Sequence, residues 1–264
     1  MTVLNALAAR PGNTSPGRAV GQDGPTMTRP NPPVSRRERP AKPALSRSAI
    51  VAAARTLLAE EGLERVTMRR IAAALDTGAA SLYVYVRNTE ELHAAVLDEL
   101  LAEVPLPAGD TTADWRDQLL AVLVGYTELL YRHPSLARMA ITTRPSGPHS
   151  LRLLDGLLGL LLAGGVPARD AAWAVDLLVQ HATVQAAEAG TREEAPGAET
   201  EEAEFFAAMR AAAAPDSGYP NVSAVGADIV SGTGEQRLRW SFDVLVNGVL
   251  GTPTPEPGRG PGTD

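Results

Sequence analysis

The sequence predicts an all-α protein, with an N-terminal three-helix helix-turn-helix unit followed by a longer helical bundle. Three observations carry this reading. From Leu45 the composition turns abruptly to Ala, Leu, Val, Arg and Glu, which favour helices. Apolar residues then recur at i, i+4, i+7 and i+8. No stretch alternates with period two, so no sheet is expected. With 264 residues, 44% of them hydrophobic, the chain can bury one large core or two modest ones.

The elements follow from their punctuation. Residues 1–44 are rich in Pro, Gly, Ser and Thr without apolar periodicity, and are read as a disordered basic arm. Ser46 is placed to cap a first helix whose apolar positions are Ile50, Ala54, Leu57 and Leu58, ended by Gly62. Thr67 caps a second, with Met68, Ile71, Ala72 and Leu75 as its buried stripe. Asp76-Thr77-Gly78 makes a tight turn into a very short helix, residues 79–86. Asn88, with Glu91 three residues on, opens a longer helix burying Leu92, Val96 and Leu100. The prolines of PLPAGD close this unit, giving a reading unit of 45–104.

Residues 105–251 read as the bundle. Trp115 to Arg132 is one long helix, and His133-Pro134 restarts the chain into a short helix through Ile141. TTRPSGP is a loop, and LRLLDGLLGLLLA ends at Gly164-Gly165. Pro167 suits the first turn of a helix to about Ala189. Residues 190–200 read as a polar loop, 201–214 as an Ala-rich helix and 215–234 as an irregular connection. Glu235 to Leu250 forms the last helix, before a disordered tail, 252–264.

The formal net charge of -7 argues against a nucleic-acid partner only until it is divided along the chain. Residues 1–46 carry seven basic residues against Asp23 and Glu38, a net of +5, whereas residues 101–264 hold 11 basic and 21 acidic residues. The absence of Cys excludes disulfides, thiolate metal sites and a cysteine nucleophile. His93, His133, His149 and His181 are scattered without metal-ligand spacing, so no metal or cofactor is expected. The longest uncharged stretch of the most apolar region, Gly156 to Ala168, has 13 residues, short of the roughly 20 that span a bilayer. MTVLNALAAR has no basic start and too short an apolar run for a secretory signal, so a soluble cytoplasmic protein without membrane contact is expected.

Residues 67–87, TMRRIAAALDTGAASLYVYVR, have the spacing of a helix-turn-helix. Small residues at the start of its second helix, Ala79, Ala80 and Ser81, would let that end enter a major groove about 12 Å wide. Thr67 and Arg69 lie where the leading helix could meet a phosphate. Over residues 45–103 the chain resembles the DNA-binding domain of the TetR family of bacterial repressors, through LSRSAIVAAARTLLAEEGLERVTMRRIAAAL and SLYVYVRNTEEL. WRDQLL, YRHPSLARM, TTRPSGPHSLRLLDGLL and RWSFDVLVNGVL extend the resemblance to the family's tetracycline-repressor-like ligand-binding core.

The resemblance implies an all-helical homodimer on a palindromic operator in double-stranded DNA, released by a small-molecule effector. It places DNA contacts on Thr67, Arg69, Ala79, Ala80, Ser81, Tyr83, Tyr85 and Arg87. Two positions depart from the pattern: Thr89 replaces the usual lysine after Asn88, and Asp76 replaces the usual turn glycine. Asp tolerates the left-handed conformation, so the turn is expected to survive. Arg36, Arg37, Arg39 and Lys42 in the arm are expected to reach the minor groove and restore the missing charge.

In that subgroup, histidine, asparagine and glutamine help to hold a metal-bound drug; the matching positions here are Pro105, Ala140, Val122 and Gly156, which cannot. The remaining implied pocket positions are Val122, Tyr126, Trp173, Asp176, Leu177 and Gln180, suiting an apolar or aromatic ligand with a few polar groups. Tyr83 has core or phosphate contact open to it, and Tyr126 and Trp173 have core or pocket. The resemblance pairs helices 168–189 and 235–250 in a dimer interface, with Val175, Val179, Trp240, Leu245 and Val249 as apolar candidates. The rival readings are a helical-bundle enzyme and an interaction protein with a vestigial DNA domain. Against the enzyme, no nucleophile-base pair, phosphate loop or metal cluster is legible.

Overall fold

The computed structural model describes residues 44–107, 114–143 and 145–255, and among these every regular element is helical. The four basic residues of the arm, Arg36, Arg37, Arg39 and Lys42, lie outside the described residues. Helix α1 (Arg47–Glu61) starts where Ser46 Oγ accepts the Ala49 N–H at 3.1 Å. It stops at Gly62, whose φ of 84° lies in the left-handed region that favours glycine. One 3-10 turn, Leu63–Arg65, leads to Thr67, whose hydroxyl accepts the Arg70 N–H and starts α2 (Met68–Ala74). Asp76 has φ 47°, the one positive value outside glycine among the described residues, so the carboxylic residue fills the turn as expected.

Regular helix α3 covers only Ala79–Leu82, and the chain continues through a turn in which Val86 N–H still donates to Leu82 O. Asn88 then caps α4 (Thr89–Leu101) by accepting the Glu91 N–H at 2.8 Å. The capping box is not closed in the usual way: Glu91 accepts from the backbone and side chain of Arg87 instead of from Asn88. Ile50, Ile71, Leu82 and Leu92 are fully buried at the centre of this unit.

The bundle comprises α5 (Trp115–Tyr131), α6 (Pro134–Thr142), α7 (Pro148–Ala163), α8 (Ala168–Glu194) and α11 (Gly234–Gly251), with α9 (Ala198–Ala212) and α10 (Pro220–Ile229) as a pair between α8 and α11. Leu119, Leu123, Leu130, Leu136, Leu178 and Phe242 are sealed in its centre. Helix α8 runs five residues past its expected end, because its last turns are tied down. Arg192 pairs with Glu188, and Arg138 of α6 bridges to Thr191 and Glu194 at 3.0 Å each. Helix α10 occupies part of the stretch expected to be irregular; it buries only Gly226 and so has no apolar stripe to betray it. Thr233 and Gln236 close a reciprocal capping box at the start of α11. Past α11, the Thr254 N–H returns to the Asp170 carboxylate at 2.9 Å, which holds that carboxyl below its usual range.

Two half-buried histidines make the fold sensitive to acid. Burial, helped by Arg132, holds His133 below its ordinary value, and burial does the same to His181. Ser241 gives its proton to Leu238 O, so neutral His181 donates through Nε2 to Ser241 Oγ at 2.8 Å, its ring edge-on to Phe242. Near pH 6 the unfolded chain therefore binds more protons than the folded one. This stabilisation is complete above the ordinary value of 6.5 and is lost as pH falls below it. The melting temperature should fall from pH 7 to 5.5, and a His133→Asn, His181→Gln variant should show a flatter slope; an unchanged slope would refute the assignment.

Candidate nucleic-acid interface and effector cavity

The reading head is built by α2, α3 and the first turns of α4. On α2, Thr67 is half-buried and its hydroxyl is spent on the cap. Arg69 is exposed and has no ion-pair partner among the described residues, whereas its neighbour Arg70 is engaged by Glu61. On α3, Leu82 is fully buried and Ala79 packs against the core, which turns Ala80 and Ser81 outward. Tyr83 is 54% exposed and Tyr85 37%, so Tyr83 is a surface ring and not a core one; Val84 between them, not singled out in the sequence, is 80% exposed.

Helix α4 ties the head together. Glu91 accepts the Arg87 N–H at 2.9 Å and Arg87 Nε at 3.0 Å, and these bonds hold its carboxyl below the usual range. The Arg87 side chain as a whole remains 87% exposed. Two residues on, His93 Nε2 donates to Val66 O at 2.8 Å, fixing the segment that leads into Thr67. One helix thus anchors both the C-terminal end of the reading segment and the start of α2.

The other end of α4, about 20 Å long, faces the bundle. Asp98 is buried there, and its carboxylate accepts the Ser150 N–H at 2.8 Å and the Ser150 hydroxyl at 2.7 Å, with the His149 N–H at 3.4 Å. The N-cap of α7 is Gly147, which has no side chain to satisfy these amides. A carboxylate from another helix caps α7 instead, at the end where negative charge is favoured.

Beside this joint lies a cavity of about 410 Å³, within the roughly 300–1,000 Å³ of small-molecule sites. Leu101 of α4, Tyr126 of α5, Ala140 and Ile141 of α6, Ser150, Leu153 and Leu154 of α7, and a strip of α8 from Asp176 to Val184 line it. Of the residues expected there, Tyr126, Asp176 and Gln180 are on the wall. Val122 is 2% exposed within the core, while Trp173 and Leu177, 55% and 44% exposed, lie on the outer side of α8 with Arg169 stacked over the Trp173 ring. The sequence reading missed Leu101, Ser150 and Thr183. Ser150 carried a signal, standing two residues after the proline that opens α7.

Trp173 and Leu177 form an exposed apolar stripe on α8, and Trp240 and Val244 a second on α11. Of the candidates taken from spacing, Trp240 alone coincides with these. Val175 is buried in its own core, and Val179, Leu245 and Val249 pack against it, leaving Trp240 as the one that faces out. No helix among the described residues is long and apolar enough to cross a membrane, and no cluster of acidic and histidine side chains among them could hold a metal ion.

A helix-turn-helix head joined by one helix to a cavity-bearing bundle defines a ligand-responsive DNA-binding transcriptional regulator. Comparison with known proteins makes the assignment specific. Residues 50–96 match the profile of bacterial regulatory proteins of the tetR family, and residues 106–251 match the tetracyclin repressor-like C-terminal domain. The chain therefore belongs to the TetR family. SCO7704, a transcription regulator of Streptomyces coelicolor, is 51% identical, with a TM-score of 0.65 over 82% of this chain and 100% of that one. ActR of Streptomyces coelicolor, solved in complex with actinorhodin, is 30% identical, with a TM-score of 0.69 over 79% of this chain and 96% of its own. An HTH-type transcriptional regulator of Saccharopolyspora erythraea is 33% identical over 49% of this chain; the match spans 54% of that relative.

Proposed function

We propose that the chain is a cytoplasmic homodimeric repressor that reads a palindromic operator and is released from it by a small apolar or aromatic molecule. The reading unit is 45–104 and the sensing and dimerising unit 105–251. Thr67, Arg69, Ala79, Ala80, Ser81, Tyr83, Tyr85 and Arg87 face the DNA, and Arg36, Arg37, Arg39 and Lys42 add charge beside them. The stripes on α8 and α11 meet their counterparts in a second copy, which sets two heads about one DNA turn, roughly 34 Å, apart.

The observation that carries the reading is the shared wall: α4, which anchors the reading head through Glu91 and His93, also contributes Leu101 to the cavity and is bonded through Asp98 to Ser150, another lining residue. An occupant that favours a different position of α4 shifts the head separation, and DNA affinity falls by as much as the occupant prefers that state. A reporter placed behind the DNA upstream of the chain's own gene tests the sign. Expression should fall when the full chain is supplied and recover with Arg69→Ala; a rise on supply would make it an activator.

A further inference from the structure

The cavity constrains the chemistry of its occupant through the protons its polar side chains have already spent. Thr183 donates its single hydroxyl proton to Val179 O at 2.8 Å, so in the 2.9 Å contact with Tyr126 the tyrosine must be the donor. Burial raises the Tyr126 phenol above its ordinary value, so it stays protonated at neutral pH. Ser150 gives its proton to the Asp98 carboxylate, which has none to return. Tyr126, Ser150 and Thr183 are all buried, each about 5% exposed. Among the described residues, the deep polar wall therefore offers lone pairs and no hydrogen atoms. The remaining donors among the described residues, the second N–H of Gln180 and the Thr143 hydroxyl, belong to residues nearer the surface. There, Gln180 Nε2 also donates to Asp176 at 2.6 Å, and that carboxylate is again an acceptor.

We propose that the effector is a neutral ring compound bearing hydrogen-bond donors, a phenol, alcohol or N–H group, directed at the Ser150 and Tyr126 oxygens, and that anionic or acceptor-only analogues are rejected. An acceptor pressed against this wall would meet lone pairs and lose its water without replacement. A donor makes a bond there, and the leucines, Ala140 and Ile141 cover the rings. The inference rests on the reading of this cavity as the effector site.

Three probes sharing one ring system test it by calorimetry on the full chain: 9-phenanthrol, 9-methoxyphenanthrene and phenanthrene-9-carboxylate. The phenol should bind at least tenfold tighter than the ether and the carboxylate. Tyr126→Phe should narrow the gap, and the cavity-filling Ala140→Trp should abolish binding of all three. Equal or reversed preference, with binding still lost in Ala140→Trp, overturns the donor requirement and leaves the cavity as the site. Absence of binding by any probe, or binding indifferent to Ala140→Trp, overturns the reading of the cavity as well.

Discussion

Asp98→Ala is expected to destabilise the chain by about 3 kcal/mol, because a buried carboxylate that satisfies two short bonds and one long one is removed and its donors are left dry. The loss falls on the first turn of α7, whose N-cap glycine cannot replace it. Gly147→Ala tests the same joint from the opposite side. A Cβ there would overlap the Asp98 carboxylate, which is buried and cannot swing away without breaking its bonds to Ser150. Asp98→Asn keeps the shape and one acceptor, and so should cost less than either. Urea unfolding should show lowered midpoints with unchanged slopes for all three variants. An Asp98→Ala midpoint equal to that of the parent would mean that α4 and α7 are held together by their apolar contacts alone.

The second large effect belongs to the reading head, where two substitutions should fail in different ways. Ser81→Leu puts a bulky side chain on the outward face of α3, where the backbone must approach base edges. It should remove specific binding by roughly 1–3 kcal/mol or more while leaving non-specific binding intact. Arg69→Ala removes one exposed cation at the start of α2. It should weaken binding on all sequences about equally and reduce the salt dependence by about one phosphate contact. Ser81 is exposed and Arg69 forms no ion pair among the described residues, so both variants should melt within a degree or two of the parent. Gel shifts at two salt concentrations separate the outcomes. A Ser81→Leu protein that retains discrimination would place the reading surface elsewhere.

The reading head was legible in the sequence because its signals are local. Ser46, Thr67 and Asn88 each cap within three residues, and Asp76 announced its left-handed turn. The cavity was legible only in part, since a lining position depends on how helices turn against one another. On α8, Trp173 and Leu177 stand about 80° and 120° round the helix from Thr183 and lie outside, while Asp176 and Gln180, about 20° and 60° from it, reach the wall. Val122 is apolar in either setting, and spacing alone does not separate a core valine from a pocket one. The joint between Asp98 and Ser150 could not be read at all, because its partners are 52 residues apart. The extension of α8 has the same cause: GTREE looks like a loop until Arg138 of α6 is set beside it.

Selection of bound duplexes from a random-sequence pool by the full chain tests the account most directly, because it asks at once whether the head reads sequence and whether two heads act together. The account predicts a two-fold symmetric site whose half-sites are centred about one helical turn, 10–10.5 base pairs, or a multiple of it, apart. Ser81→Leu should fail to enrich it. Recovery of no sequence, or of an asymmetric site enriched equally by Ser81→Leu, would contradict the assignment of residues 67–87 as the reading head of a dimer.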